Sequence, residues 1–315
     1  MFTTTHIARA AAAVAAAAFV AAGLAPTAVA GTGSYGWPVK PFHVQHPVRA
    51  YLGDPRIAGQ DFAHGTIHFG IDIAAPDGTA VYATLDGVAW IHPLHKDTVI
   101  VSGAGGVSHE YWHVVPAIRA GQRVVAYQTI VGHVEKPWAH VHFAERIGSR
   151  YQNPLRPGAL TPYRDTTRPT VGALSFERDG AVVSHALSGR VDVIVEAWDE
   201  VPLPVAAPWN DKPVLPALIE WRILGRGTAS VSSSWHIADD FRTSLGSAQF
   251  SSVYAHGTRQ NHPLPGTGTG RYRLLLARGW DTRTLPNGTY HLEVAVSDTR
   301  GNTAHAAVPF TVSNP

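Results

Sequence analysis

Two short segments concentrate side chains able to hold a metal ion or to move a proton. The first, Ile67-His68-Phe69-Gly70-Ile71-Asp72-Ile73-Ala74, sets a histidine and a carboxylate four positions apart. On an extended chain His68, Gly70 and Asp72 share one face, while Phe69, Ile71 and Ile73 take the other. A straight strand would hold His68 and Asp72 about 13 Å apart, too far for one ion with bonds near ~2 Å. Gly70 is the position at which the chain can bend to close that gap. The second segment, Trp138-Ala139-His140-Val141-His142-Phe143, repeats the alternation, with both imidazoles on one face. Such a pair serves either as two ligands or as one ligand and one acid–base group. Alone it is a weak signal; with an upstream H-x-x-x-D it becomes a strong one.

Between them, His109-Glu110-Tyr111-Trp112-His113 spells H-E-x-x-H, the zinc motif of a class of metalloproteases that carry it on a helix. That motif needs a helix, so that both histidines and the glutamate meet one ion. Here Gly105-Gly106 precede it, Pro116 closes it, and Val107, Tyr111, Trp112, Val114 and Val115 favour strand. As a strand it puts His109, Tyr111 and His113 on one face, which makes Tyr111 a candidate for lining a groove beside His113, and Glu110 and Trp112 on the other.

The elements that must position these groups are short β segments broken by Gly and Pro. They are expected at 79–84, 87–91, 98–102, 108–115, 123–127, 130–134 and 139–144, with no long helical period. Of 18 histidines, 11 fall between Gly31 and Arg150. There is no cysteine, so any metal must be held by His, Asp or Glu. A net charge of +2 without a Lys/Arg run gives no nucleic-acid footprint.

Residues 1–30 carry one basic residue, an apolar stretch from Ala10 to Ala25 and a closing Ala28-Val29-Ala30. This reads as a signal peptide cleaved after Ala30, so the mature protein is expected to be exported, without a membrane span. A Pro/Gly-rich connector, drawn at 161–169, separates the histidine-rich domain at 31–160 from a second domain at 170–315. There Tyr290, Leu292, Val294 and Val296 alternate with Thr289, His291, Glu293 and Ser297. With strands at 191–198, 218–224, 271–277 and 306–312, this predicts a β-sandwich with one long insertion across about 200–285. Its ending resembles the immunoglobulin-like modules of bacterial secreted proteins. The fold class is therefore all-β. The scattered His185, His236, His256, His262, His291 and His305 lack ligand spacing.

In their order, these motifs resemble the lysostaphin/LytM-type zinc endopeptidases, which cut peptide bonds in bacterial peptidoglycan. The match runs from about Trp37-Pro38 to Asn153-Pro154. It includes the two segments above, Ala75-Pro76-Asp77-Gly78-Thr79, Asp86-Gly87-Val88, Tyr111-Trp112-His113 and Ala120-Gly121-Gln122-Arg123-Val124. The resemblance implies an antiparallel β-sheet domain with a groove. It implies His68, Asp72 and His142 as ligands of one Zn2+ per chain, and His140 and His113 as the catalytic histidines that bind no metal. Partners would be peptidoglycan peptide stems or cross-bridges, and the enzyme a monomer at the cell wall or outside the cell. The family's usual Glu after the Phe is replaced by Ala144, with Glu145 one step on, a change expected beside the groove. His64, His92, His95, His109 and His133 have no counterpart in the family. Two other readings compete: a non-enzymatic wall-binding or hydrolase-activating module of the same fold, and a helical protease using His109, Glu110 and His113.

Overall fold

The structure, a computed structural model, describes residues 33–57, 61–225, 234–261 and 270–315; residues 1–30, read above as a signal peptide, and His262 lie outside the described residues. In chain order the first strands are β1 (Val48–Ala50), β2 (Pro55–Arg56), β3 (Thr66–Ile67), β4 (Ile71–Ala74), β5 (Ala80–Tyr82), β6 (Gly87–Ile91) and β7 (Thr98–Ser102). They continue as β8 (Val107–Trp112), β9 (Val114–Pro116), β10 (Gln122–Val124), β11 (Ile130–Val134), β12 (His140–Ile147) and β13 (Arg150–Gln152). After the Pro/Gly-rich segment come β14 (Thr170–Arg178), β15 (Ala181–Val183), β16 (Ala186–Leu187), β17 (Arg190–Trp198), β18 (Leu218–Gly225) and β19 (His236–Asp240). A single α-helical turn, α1 (Phe250–Val253), then precedes β20 (Arg273–Asp281), β21 (Gly288–Ser297) and β22 (Thr303–Val312). The protein is nearly all-β, as its period-2 patterning requires. Among the described residues no helix is long and apolar enough to cross a membrane.

The histidine-rich half is built on a sheet ordered β1-β4-β12-β8-β7-β6-β10, with β13 paired to β12. A smaller sheet, β5-β11-β9, lies beside it. Alternation on β12 sends Val141 and Phe143 into a core with Trp37, Ile71, Ile73 and Tyr111, all 0 % exposed. The opposite face of β12 carries His140 and His142. The antiparallel register sets His142 directly across from Asp72 on β4 and from Trp112 on β8, and cross-strand partners of this kind sit close enough for their side chains to interact.

The second half is a two-sheet β-sandwich, β15-β14-β17-β20 against β16-β22-β21-β18-β19. Its core takes Tyr290, Leu292, Val294 and Val296 from β21 and Phe176, Val193 and Leu274 from the facing sheet. Strand β14 is not visible as a pattern because its pairing with β17 shifts register between Val171 and Leu174. The bulge breaks the period on which a strand reading depends. The stretch expected as an insertion also adds β19 to the sheet edge. The two cores interlock: Leu52 and Ile57 pack into the sandwich core, and Val214 packs into the core of the histidine-rich half.

Candidate metal centre and cleft

His68 lies just before β4, and the chain bends at Gly70 as the spacing argument requires. A Cβ at Gly70 would sit 2.4 Å from the Phe143 carbonyl oxygen and 2.9 Å from the His142 ring, so only glycine lets the segment approach β12 this closely. The bend brings His68 Nε2 to 3.0 Å from Asp72 Oδ1 and 2.6 Å from His142 Nδ1, and His142 Nδ1 stands 3.0 Å from the same Asp72 oxygen. His68 Nδ1 donates to the Tyr51 carbonyl at 2.8 Å. That fixes the tautomer in which Nε2 offers its lone pair to the centre. Arg56 donates to the outer oxygen of Asp72 at 3.0 Å.

Three buried electron-pair donors thus meet at one point, two nitrogens and a carboxylate oxygen. This donor set suits zinc and leaves a fourth position open, as a catalytic centre requires. Protonation states agree. Burial lowers the pKa of His68, and lowers that of His142 to about 4, keeping both imidazoles neutral as ligands must be. Burial alone would raise Asp72, but the neighbouring His68, His140 and His142 outweigh it and hold the carboxyl well below its usual range.

His140 and His113 flank this triad. His140 Nε2 is 3.6 Å from Asp72 Oδ1, and burial pushes its pKa down to about 3. Its Nδ1 has two suitors that demand opposite tautomers: the Trp138 carbonyl at 2.8 Å, which accepts, and Arg49 Nη2 at 2.5 Å, which donates. The His113 ring stacks on Trp138 with centroids 4.1 Å apart, lies 4.8 Å from the His140 ring, and faces Asp97 Oδ2 across 3.4 Å.

The route by which His113 arrives differs from simple alternation. β8 ends at Trp112, and His113 adopts a φ of 62°, a left-handed conformation uncommon for a non-glycine residue. A regular strand would have aimed His113 at the core with His109 and Tyr111; the reversal turns it to the metal side. The expectation for Tyr111 is corrected, and the competing helical reading falls because the segment is a strand. Tyr111 does not line the groove: it is fully buried, with its hydroxyl 2.7 Å from Thr84 Oγ1. The H-E-x-x-H helix does not exist either. His109 packs on Tyr35 and Phe143 beneath the sheet, its Nδ1 2.6 Å from Thr84 Oγ1. Glu110 on the other face pairs with Arg146 and accepts from Trp112 Nε1. Glu145 is likewise not beside the groove. It faces the core, fully buried, and takes two hydrogen bonds of 2.7 Å from Arg156 and one of 2.6 Å from Tyr35.

A cleft of about 520 Å³ opens over Asp72, His113 and His140. Its other walls are Arg49, Arg56 and Trp138 from the first half, and Trp209, Gln260 and Asn261 from the second. Asn261 Nδ2 donates to the Arg49 carbonyl, and the Ile57 amide donates to Gln260 Oε1. These residues were not legible as site residues, because Trp209, Gln260 and Asn261 sit in irregular segments far along the chain from the motifs. For Arg49, the only available signal was a lone cation in an otherwise apolar run, Pro47-Val48-Arg49-Ala50-Tyr51. The His92 and His95 rings make tilted contacts with Trp112, while His64 is an exposed partner of Asp61. None of the described sandwich histidines belongs to a group able to hold a metal ion.

Comparison with known proteins agrees with this geometry. Residues 66–154 match the model of Peptidase family M23. Over 141 residues the chain is 32 % identical to the DD-carboxypeptidase/endopeptidase Mpg of Neisseria meningitidis serogroup B and, equally, of Neisseria gonorrhoeae, covering 42 % of this chain. The chain spans about a third (32 %) of the length of these curated relatives. Among solved structures, a zinc-containing peptidase from Vibrio cholerae overlaps 39 % of each chain at 21 % identity, with a TM-score of 0.33. A chain from the crystal structure of the SpoIIIAH and SpoIIQ complex overlaps 39 % of this chain and 98 % of its own at 22 % identity, with a TM-score of 0.32. The bent His68–Asp72 segment and the His140–His142 strand both lie within residues 66–154, the part of the chain that is similar to peptidase family M23.

Proposed function

We propose that the protein is an exported zinc endopeptidase that hydrolyses peptide bonds of bacterial peptidoglycan, as a monomer carrying one zinc ion. The observation that carries this reading is the meeting of His68 Nε2, Asp72 Oδ1 and His142 Nδ1 within 3.0 Å of one another, with two further histidines beside them in an open cleft. Zinc held there supplies a Lewis acid for the scissile carbonyl and acidifies water near neutral pH. The remaining work falls to this chain's own groups. With Nδ1 donating to the Trp138 carbonyl, His140 presents Nε2 to accept a proton from the attacking water and return it to the leaving amine. His113, stacked on Trp138, is placed to donate an N–H to the oxygen on which negative charge develops. Arg56 neutralises the outer oxygen of Asp72 and keeps its inner oxygen aimed at the centre. Trp209 and Gln260 wall one side of the cleft.

The test is incubation of purified peptidoglycan with the zinc-loaded chain, followed by mass spectrometry of the released peptides. New amine and carboxyl ends are expected, abolished by chelator and restored by zinc. Asp72→Ala should lose both zinc and turnover. His140→Ala should keep its zinc and lose ~10²–10⁴-fold in rate. No release by folded, zinc-bound protein would overturn the reading. Export is checked separately: a secreted product whose N-terminus is Gly31 is expected, and an uncleaved intracellular chain would refute it.

A further inference from the structure

Arg49 is the one cleft residue whose charge the peptidase chemistry above does not use. It is 5 % exposed, on β1, with its guanidinium carbon 3.8 Å from the centre of the Trp209 ring. Its Nη2 leans on the neutral His140, and its Nε is buried without a hydrogen-bond partner. Among the described residues no carboxylate pairs with it; Asp72, the acid of this cleft, is engaged by Arg56, His68 and His142. Burial pulls its pKa down to about 10, so the group is still charged at neutral pH. The Asp72 charge favours the charged guanidinium without forming an ion pair with it; a buried cation lacking a hydrogen-bonded carboxylate is costly, and a planar guanidinium is shaped to take one through two parallel hydrogen bonds.

We propose that Arg49, backed by Trp209, is a subsite for a carboxylate of the peptide substrate, either the terminal carboxylate or an acidic group on a side chain next to the scissile bond. The proposal rests on the peptidase reading and specifies the substrate class: acidic peptides, bound by a subsite that both halves of the chain build. It also gives Arg49 a positioning role. A carboxylate that engages the guanidinium draws its donors away from His140 Nδ1. The Trp138 carbonyl is then the sole partner of that nitrogen, and His140 is left in the tautomer whose Nε2 accepts protons.

Calorimetric titration of the zinc-loaded full chain tests this, with short acylated peptides whose central amide is N-methylated to resist cleavage. Three forms are compared: the free acid, the C-terminal amide, and the side-chain amide. The free acid is expected to bind at least ~10-fold more tightly than one of the two amides, and which amide is weak identifies the carboxylate. Arg49→Gln should bring the affinities within about twofold, and Arg49→Lys, which keeps charge without the fork, should fall between. Trp209→Leu serves as the second variant and should weaken the free acid more than the amides. A wild-type protein that does not discriminate, or does not bind the free acid at millimolar peptide, overturns the subsite, as does discrimination that survives in Arg49→Gln. Discrimination without any peptidoglycan cleavage would refute the peptidase reading alone. Cleavage with equal binding of all three forms would refute the subsite alone.

Discussion

Strands β12 and β21 illustrate two uses of the same period. On β21 the inward residues are Tyr290, Leu292, Val294 and Val296, all apolar and at most 1 % exposed. On β12 the apolar Val141 and Phe143 line one face, while His140 and His142 on the other are also almost fully buried. Burial of polar groups costs free energy unless each is partnered, so a strand buried on both faces with one face polar needs a specific reason. On the metal side that reason is a shared centre. On the core side it is pairing: Glu145 with Arg156 and Tyr35, and His109 with Thr84. Buried polarity alone therefore does not mark a site. Convergence of donor atoms does.

This contrast can be pressed hardest at Glu145. Removing it by Glu145→Ala strands the buried Arg156, and should cost about 3–5 kcal/mol by urea unfolding. Leu292→Ala in the sandwich should cost a comparable ~2–5 kcal/mol by leaving a cavity. Both should keep stoichiometric zinc, measured on the folded protein. A Glu145→Ala cost as small as that of a surface change would break the distinction between paired and apolar burial.

Gly70→Ala sharpens the same comparison from the metal side. Its Cβ would push against the Phe143 carbonyl, and a shift of that kind typically costs about 1–3 kcal/mol. Because the strain falls between His68 and His142, weaker zinc binding in a competition titration should accompany it. Gly279→Ala in the sandwich has open space around its Cβ and should leave zinc affinity as it was, although its left-handed φ of 57° brings a modest stability cost.

A further effect concerns pH. Burial, with Asp165 and Asp298 nearby, raises the Asp199 carboxyl to about 8, against ~3.9 in an unfolded chain. A raised folded pKa means that its contribution is fully present below the unfolded value and lost as pH rises through the folded one. Tm should therefore decline between about pH 4 and pH 8, by ~2–4 °C for each kcal/mol lost. Asp239, raised to about 7 by burial alone, adds to the same slope. Asp199→Asn should flatten the slope in differential scanning calorimetry; an unchanged slope would remove Asp199 as its source.

Much of the fold was legible because alternation and turn residues are local. The strands at 87–91, 98–102 and 130–134 have the bounds that their patterns indicate, and Tyr290 to Val296 face inward as read. Where local order is interrupted, legibility stops. The bulge in β14 hid a strand, and the left-handed backbone at His113 reversed the face read for that residue.

The sequence by itself determined which side chains could form the centre: a histidine and an aspartate four apart with a glycine between, then two histidines two apart. It also determined that no thiol takes part. Only the tertiary structure decided that Asp72 stands across from His142, that Tyr51 sets the His68 tautomer, and that Arg49, Arg56, Trp209 and Gln260 close around them. The reason is range. Side-chain period is a property of neighbouring residues, whereas the Ile57–Gln260 contact joins positions 203 apart and exists only because two apolar cores interlock.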